Sequence, residues 1–207
     1  MDYAILLVII LFLIYYLVVY KPHKKICNNI DNRCYSVIDS PDKYQASQLL
    51  AKLNIFASAL IKHLSKYNSD PVYGPMVKRL TKNYEPNNII ENDPPSNVNT
   101  SYVEDKGRVF AICLREKKSG MNRFHDISIL QFVVMHEMSH LASECIGHDC
   151  VEFWNNFKFL ISEAKSIGLH IPVNYKISPT NYCSLDVDYS PYYDDFLNYF
   201  GHLENRK

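Results

Sequence analysis

The chain opens on an unbroken apolar run, residues 3–20, without a single charge. At 1.5 Å rise per residue a helix of that length spans about 27 Å, close to a bilayer's hydrocarbon core. Tyr3, Tyr15, Tyr16 and Tyr20 suit the interfacial zones where amphipathic rings settle. No basic segment precedes the run and no small-x-small cleavage site follows it. The pattern therefore predicts an uncleaved transmembrane anchor over residues 1–20 rather than a signal peptide. Lys21, Lys24 and Lys25 follow directly, and the positive-inside rule places the rest of the chain on the cytoplasmic side of the membrane.

Residues 21–39 are polar, with no helical or alternating period, and read as a juxtamembrane linker. Ser40-Pro41-Asp42 has the form of a helix start, with Ser as N-cap and Pro at the first helical position. Behind it Ala46, Leu49, Leu50, Leu53, Phe56, Ala57, Leu60, Ile61 and Leu64 recur at three- and four-residue steps. That spacing predicts an amphipathic helix of about six turns. His63 lies beside the stripe and reads as a surface or half-buried residue. Residues 68–99 contain prolines 71, 75, 86, 94 and 95, which forbid long regular elements. They predict a wrapping loop with one short helix around 75–82.

Residues 101–103 and 108–114 are β-prone and flank Glu104-Asp105-Lys106-Gly107, the form of a hairpin. The second strand is apolar on both faces and should be covered on both. Asp126 can cap a helix over 127–145, with Ile129, Leu130, Val133 and Val134 on its buried side and Gly147 ending it. A further helix over 150–167 carries Val151, Trp154, Phe157, Leu160, Ile161 and Ala164, and Gly168 stops it. The rest is rich in tyrosine, with a last helix expected at 192–203. The expected architecture is α+β: a compact domain over 40–180, with a small sheet and a hairpin, behind one transmembrane helix. A Tyr-rich tail follows over 181–207.

With 207 residues the chain has room for one modest domain plus an accessory segment. Lys+Arg and Asp+Glu are both 22, so no charge excess argues for nucleic acid, and none is expected as a partner. No P-loop, dinucleotide fingerprint or basic stripe is present. The six cysteines (27, 34, 113, 145, 150 and 183) are expected as free thiols on the cytoplasmic side. Cys27 and Cys34, beside the membrane, could instead be acylated. Cys145 and Cys150 bracket Gly147-His148 and admit three readings: free thiols, a disulfide clamping the loop, or a metal ligand.

The strongest chemical signal is His136-Glu137-Met138-Ser139-His140. Residues i and i+4 share one helix face, their Cβ atoms about 6 Å apart, so His136 and His140 can converge on one zinc ion. Glu137 then points beside the metal, where a general base can take a proton from water activated there. Catalytic zinc usually takes three protein ligands. His148, immediately past Gly147, is the preferred third, with Glu163, Glu152 and Glu144 as rivals. The expected chemistry is hydrolysis of a peptide or protein substrate, which could add to the sheet edge at strand 108–114. Tyr175, Tyr182 and His170 could reach a developing oxyanion. His23, His125 and His202 have no partners at ligand spacing.

The ordered pieces HExxH, then Gly147-His148, then Phe153-Trp154 resemble the small zincin metallopeptidases of the WLM, SprT-like and YgjP-like group. They are also similar to peptidases of large DNA viruses. The resemblance covers roughly residues 99–168. It implies a zinc peptidase fold in which His136, His140 and His148 bind zinc and Glu137 is the base. It also implies that Phe153 and Trp154 pack behind the third ligand. The gap from His140 to His148 is longer than in those families, and the anchor is foreign to them, so a role in DNA–protein crosslink repair does not carry over. The alternative is a catalytically silent zincin-like interaction protein of a membrane or virion.

Overall fold

The computed structural model describes residues 5–10, 12, 23–92, 100–116 and 123–193. Five strands form one mixed sheet: β1 (His23–Cys27), β2 (Cys34–Ile38), β3 (Ile89–Asn92), β4 (Tyr102–Glu104) and β5 (Val109–Cys113). Their order is β1-β2-β3-β5-β4. β2, β3 and β5 run parallel, while β1 and β4 pair antiparallel at the two ends. Four helices complete the domain: α1 (Lys43–Leu64), α2 (Gly74–Asn83), α3 (Ile127–Ala142) and α4 (Val151–Ser166). A small hairpin, β6 (Thr180–Tyr182) and β7 (Leu185–Val187), lies after them. The class is α+β.

α1 and α2 connect β2 to β3, and α1 packs on β1, β2 and β3, while α3 packs on β4, β5 and the other three helices. The stripe read from the sequence is the buried face of α1: Ala46, Leu50, Leu53, Phe56, Ala57, Leu60 and Leu64 are buried. The helix begins at Lys43, later than expected, because Ser40 and Pro41 form a preceding turn and Asp42 takes the N-cap. α4 ends as expected. Gly168 adopts φ +71° and the Leu169 N–H reaches the Ala164 carbonyl at 2.9 Å, a glycine stop of the left-handed type.

Several expectations are corrected. Among the described residues no helix is long and apolar enough to cross a membrane, so the transmembrane helix at 3–20 does not stand as part of the fold. Residues 5–10 and 12 are helical and exposed. The remainder of that run lies outside the described residues. Segment 21–39 is not a linker from His23 onward, because β1 and β2 pair in full register from His23↔Ile38 to Cys27↔Cys34. The expected wrapping loop 68–99 contains α2 as foreseen, but also β3, the middle strand of the sheet.

The expectation of free thiols is overturned as well. Cys27–Cys34, Cys113–Cys183 and Cys145–Cys150 are disulfides, and no cysteine is free. Acylation of Cys27 and Cys34 falls with it. Disulfides persist in oxidising surroundings, which runs against the cytoplasmic facing expected from the lysines after the apolar run. The Cys113–Cys183 link ties the β6–β7 hairpin to β5, so the described part of 181–207 is not a loose tail. The expected helix at 192–203 lies almost wholly outside the described residues.

β3 is a central strand despite its acidic residue because that residue has a partner. Glu91 is fully buried and accepts from Arg115 Nε at 2.7 Å and from the Ile38 N–H at 2.8 Å. Arg115, itself buried, also bonds Asp42 and the Ser40 hydroxyl and lies over the Phe124 ring. The pair joins the start of α1, the middle of the sheet and the end of β5.

Candidate metal centre

α3 is apolar on most of its circumference: Ile129, Leu130, Phe132, Val133, Val134, Met135, Met138 and Leu141 are all buried. His136 and His140 interrupt that cover together, with rings 5.1 Å apart on one face. Asp126 occupies the N-cap but makes no side-chain cap bond. The helix stops at Ala142, three residues short of expectation, when Ser143 turns extended. That early stop releases residues 143–150 as a loop, and the loop returns His148 to the helix. Gly147, at φ +83°, serves the turn of this loop rather than the helix end.

The three imidazoles meet edge to edge. His148 Nε2 lies 2.9 Å from His136 Nε2 and 3.1 Å from His140 Nε2. An ion bonded tetrahedrally at about 2.1 Å to each would hold such nitrogens about 3.4 Å apart. A few tenths of an ångström of opening suffices. Phe153 lies under all three rings, with centroids 5.0 Å from His136, 4.4 Å from His140 and 4.9 Å from His148. Trp154 donates its indole N–H to the His148 carbonyl at 2.8 Å. Both residues pack against the His148 imidazole or its backbone.

Electrostatics prepare the nitrogens for a cation. Burial, with the charges of His140 and His148, holds His136 well below its ordinary range. Burial, with His148 and Lys106, brings His140 to about 4. Burial also lowers His148. All three are therefore neutral near pH 7, the form that binds metals. Glu137 is 4% exposed and burial pushes its carboxyl up to about 8. A cation beside it would favour the carboxylate and draw that value back down.

The rival third ligands do not join the three imidazoles. Glu163 pairs with His63 at 2.8 Å and Lys66 at 3.0 Å and accepts from Tyr67. Glu144 and Glu152 both pair with Arg79. Of the oxyanion candidates, the buried Tyr182 donates to the Cys113 carbonyl at 2.9 Å and contacts Ser101. His170 Nδ1 meets Gln131 at 3.0 Å. His170 Nε2 and the Tyr175 hydroxyl are buried without a hydrogen-bond partner among the described residues. Tyr175 meets Phe132, one turn before His136, edge-on at 4.8 Å. His125 is a packing residue that accepts the Cys183 N–H, and His23 bonds the Glu91 carbonyl. His202 lies outside the described residues.

Three residues escaped the sequence reading. Arg79 donates to the Ala142 carbonyl at 2.7 Å, Asn83 to Leu141 at 2.8 Å and Lys106 to Ser143 at 3.1 Å. They satisfy carbonyls that a helix end leaves open. The i, i+4 placing of Arg79 and Asn83 on α2 was the available signal, but nothing local says what that face meets. The expected substrate edge also moves. β5 is flanked by β3 and β4, so the outer edge on this side is β4, which packs beside α3.

The class so defined is an α+β domain whose central helix and following loop bring three neutral histidines to one point beside a buried glutamate. No protein-family profile matches the chain, and no solved structure does. The chain belongs to a family of viral proteins that includes the uncharacterized protein 042R of invertebrate iridescent virus 3. The two are 32% identical over 122 residues, which is 57% of this chain and 67% of that protein. The uncharacterized protein R325 of Acanthamoeba polyphaga mimivirus is 29% identical over 166 residues, 78% of this chain and 80% of its own length. The uncharacterized protein 136R of invertebrate iridescent virus 6 is 34% identical over 83 residues, covering 40% and 44%.

Proposed function

We propose that the protein is a zinc-dependent metallopeptidase of zincin type, with His136, His140 and His148 as ligands and Glu137 as general base. The observation that carries this is the convergence of three Nε2 atoms, two from one helix turn and one from the loop beyond it. The donor set fits zinc: three neutral imidazoles, with water or substrate to complete the fourth position. A zinc ion held there supplies Lewis-acid polarisation of the scissile carbonyl and of water. Glu137 takes the proton from the attacking water and hands it to the leaving amine. An extended peptide is positioned by main-chain hydrogen bonds along the outer edge of β4. Tyr175 and His170 carry the buried, unpaired polar atoms best suited to meet a developing oxyanion.

Metal analysis and peptide hydrolysis on the same preparation test this. Zinc is expected at about one ion per chain, and a chelator should abolish cleavage of a mixed peptide pool until zinc is restored. Zinc binding without cleavage under any condition would leave a silent binding module instead. Trp154→Phe keeps the aromatic packing but removes the bond to the His148 carbonyl. It should weaken zinc binding by about tenfold, as loss of an outer partner of a metal ligand does, measured by competition with a chromogenic chelator.

A further inference from the structure

The loop that carries His148 has the form of a second metal-binding element. Cys145-Ile146-Gly147-His148-Asp149-Cys150 spaces its cysteines as C-x4-C, within the range of structural zinc sites. Their two sulfurs and a carboxylate oxygen of Glu152 lie within 4.8 Å of one another. All three residues are half-buried. Glu152 is held in place: one oxygen accepts the Glu144 N–H at 3.0 Å and the other pairs with Arg79. Metal-ligating carboxylates are oriented by such outer bonds. Cys150 is the N-cap of α4, and its sulfur accepts the Phe153 N–H at 3.4 Å. In the structure the two sulfurs are joined, and the disulfide caps this donor set.

We propose that Cys145, Cys150 and Glu152 form a redox-gated second zinc site, closed in the disulfide and opened by a dithiol reductant. The dithiol gives up two electrons and two protons as the Cys145–Cys150 bond breaks. Two protein thiols form, and the reductant leaves as its own disulfide. Zinc then displaces both thiol protons to solvent as it binds. The new site stands on the cysteines and Glu152. Its consequence for catalysis, through His148 lying between the two cysteines, rests on the histidines being ligands.

Titration of the full chain with Co2+, before and after reduction by a phosphine that is then removed, tests the proposal. The oxidised protein should take one cobalt with no sulfur-to-cobalt charge-transfer absorption. The reduced protein should take a second with that absorption, and added Zn2+ should bleach it. Cys145→Ser with Cys150→Ser should keep the first ion and lose the second. Glu152→Gln, which leaves both cysteines in place, should weaken the second by roughly tenfold or more. His136→Ala should lose the first and keep the second. Reduced protein without the charge-transfer band, or a band unchanged in the double serine variant, overturns the proposal. Failure of the oxidised protein to bind cobalt would instead strike at the histidine centre, and the thiolate band would still be decided by the reduced sample.

Discussion

Glu137→Gln should cut kcat for peptide hydrolysis by about a thousandfold while leaving zinc content unchanged. A positioned general base is worth roughly 10²- to 10⁴-fold, and the amide cannot accept a proton. The substitution is nearly isosteric, and Glu137 is buried on a helix whose other inward residues are mostly apolar, so packing is preserved. Its amide is also neutral in a place where burial already disfavours the charged carboxylate. The folded state should therefore lose nothing. Zinc stays because the three nitrogens that meet at 2.9 and 3.1 Å belong to other residues. His136→Ala differs in kind, since it should lose metal and turnover together. The decisive measurement is kcat beside zinc content for both variants. Full activity in Glu137→Gln would remove the glutamate from the mechanism. Loss of zinc in that variant would mean that the carboxylate is a ligand rather than a base.

The histidine centre was legible because its determinants are local. An i, i+4 pair on a strongly apolar helix, a glycine and a third histidine a few residues on, and Phe153-Trp154 after them all fall within twenty residues. α1 and α4 were legible for the same reason, since each carries several turns of one period. Of the strands, only the β4–β5 hairpin was legible, from β-prone runs around a glycine-containing turn. β1 reads His-Lys-Lys-Ile-Cys, with Ile26 alone buried. β6 and β7 are three residues each. β3 has four residues and contains a glutamate, which local pattern counts against burial. What reverses that count is Arg115, twenty-four residues away in sequence and 2.7 Å away in space. The cysteines were illegible in the same sense: their number was plain, but pairing depends on distant approach. The exception is Cys145–Cys150, where a clamp on the loop was one of three open readings.

Replacing Arg115 with Met should destabilise the domain by about 3–5 kcal/mol, the usual cost of stripping one partner from a buried ion pair. For a chain of this size that is on the order of 10 °C in Tm, and a large share of a typical stability. Methionine roughly fills the space of the aliphatic stem, so the loss is chiefly electrostatic. Glu91 would keep only the Ile38 N–H, with no cation to offset its burial. The pH dependence gives the test its sign. Burial already raises the Glu91 carboxyl above 4.5, against the lowering pull of Arg115. Without the guanidinium it rises further. A carboxyl whose folded pKa exceeds its unfolded value favours folding when protonated, and that contribution is lost as pH rises through the folded pKa. The deficit relative to wild type should therefore be largest near neutral pH and shrink as pH falls toward 4.5. Urea unfolding of both proteins at two pH values measures it. Adding Glu91→Leu to Arg115→Met should recover much of the loss, since a buried pair replaced by apolar residues is often neutral. A deficit that is independent of pH and unrelieved by the second change would mean that Arg115 acts through packing on Phe124 and its bonds to α1, not by neutralising Glu91.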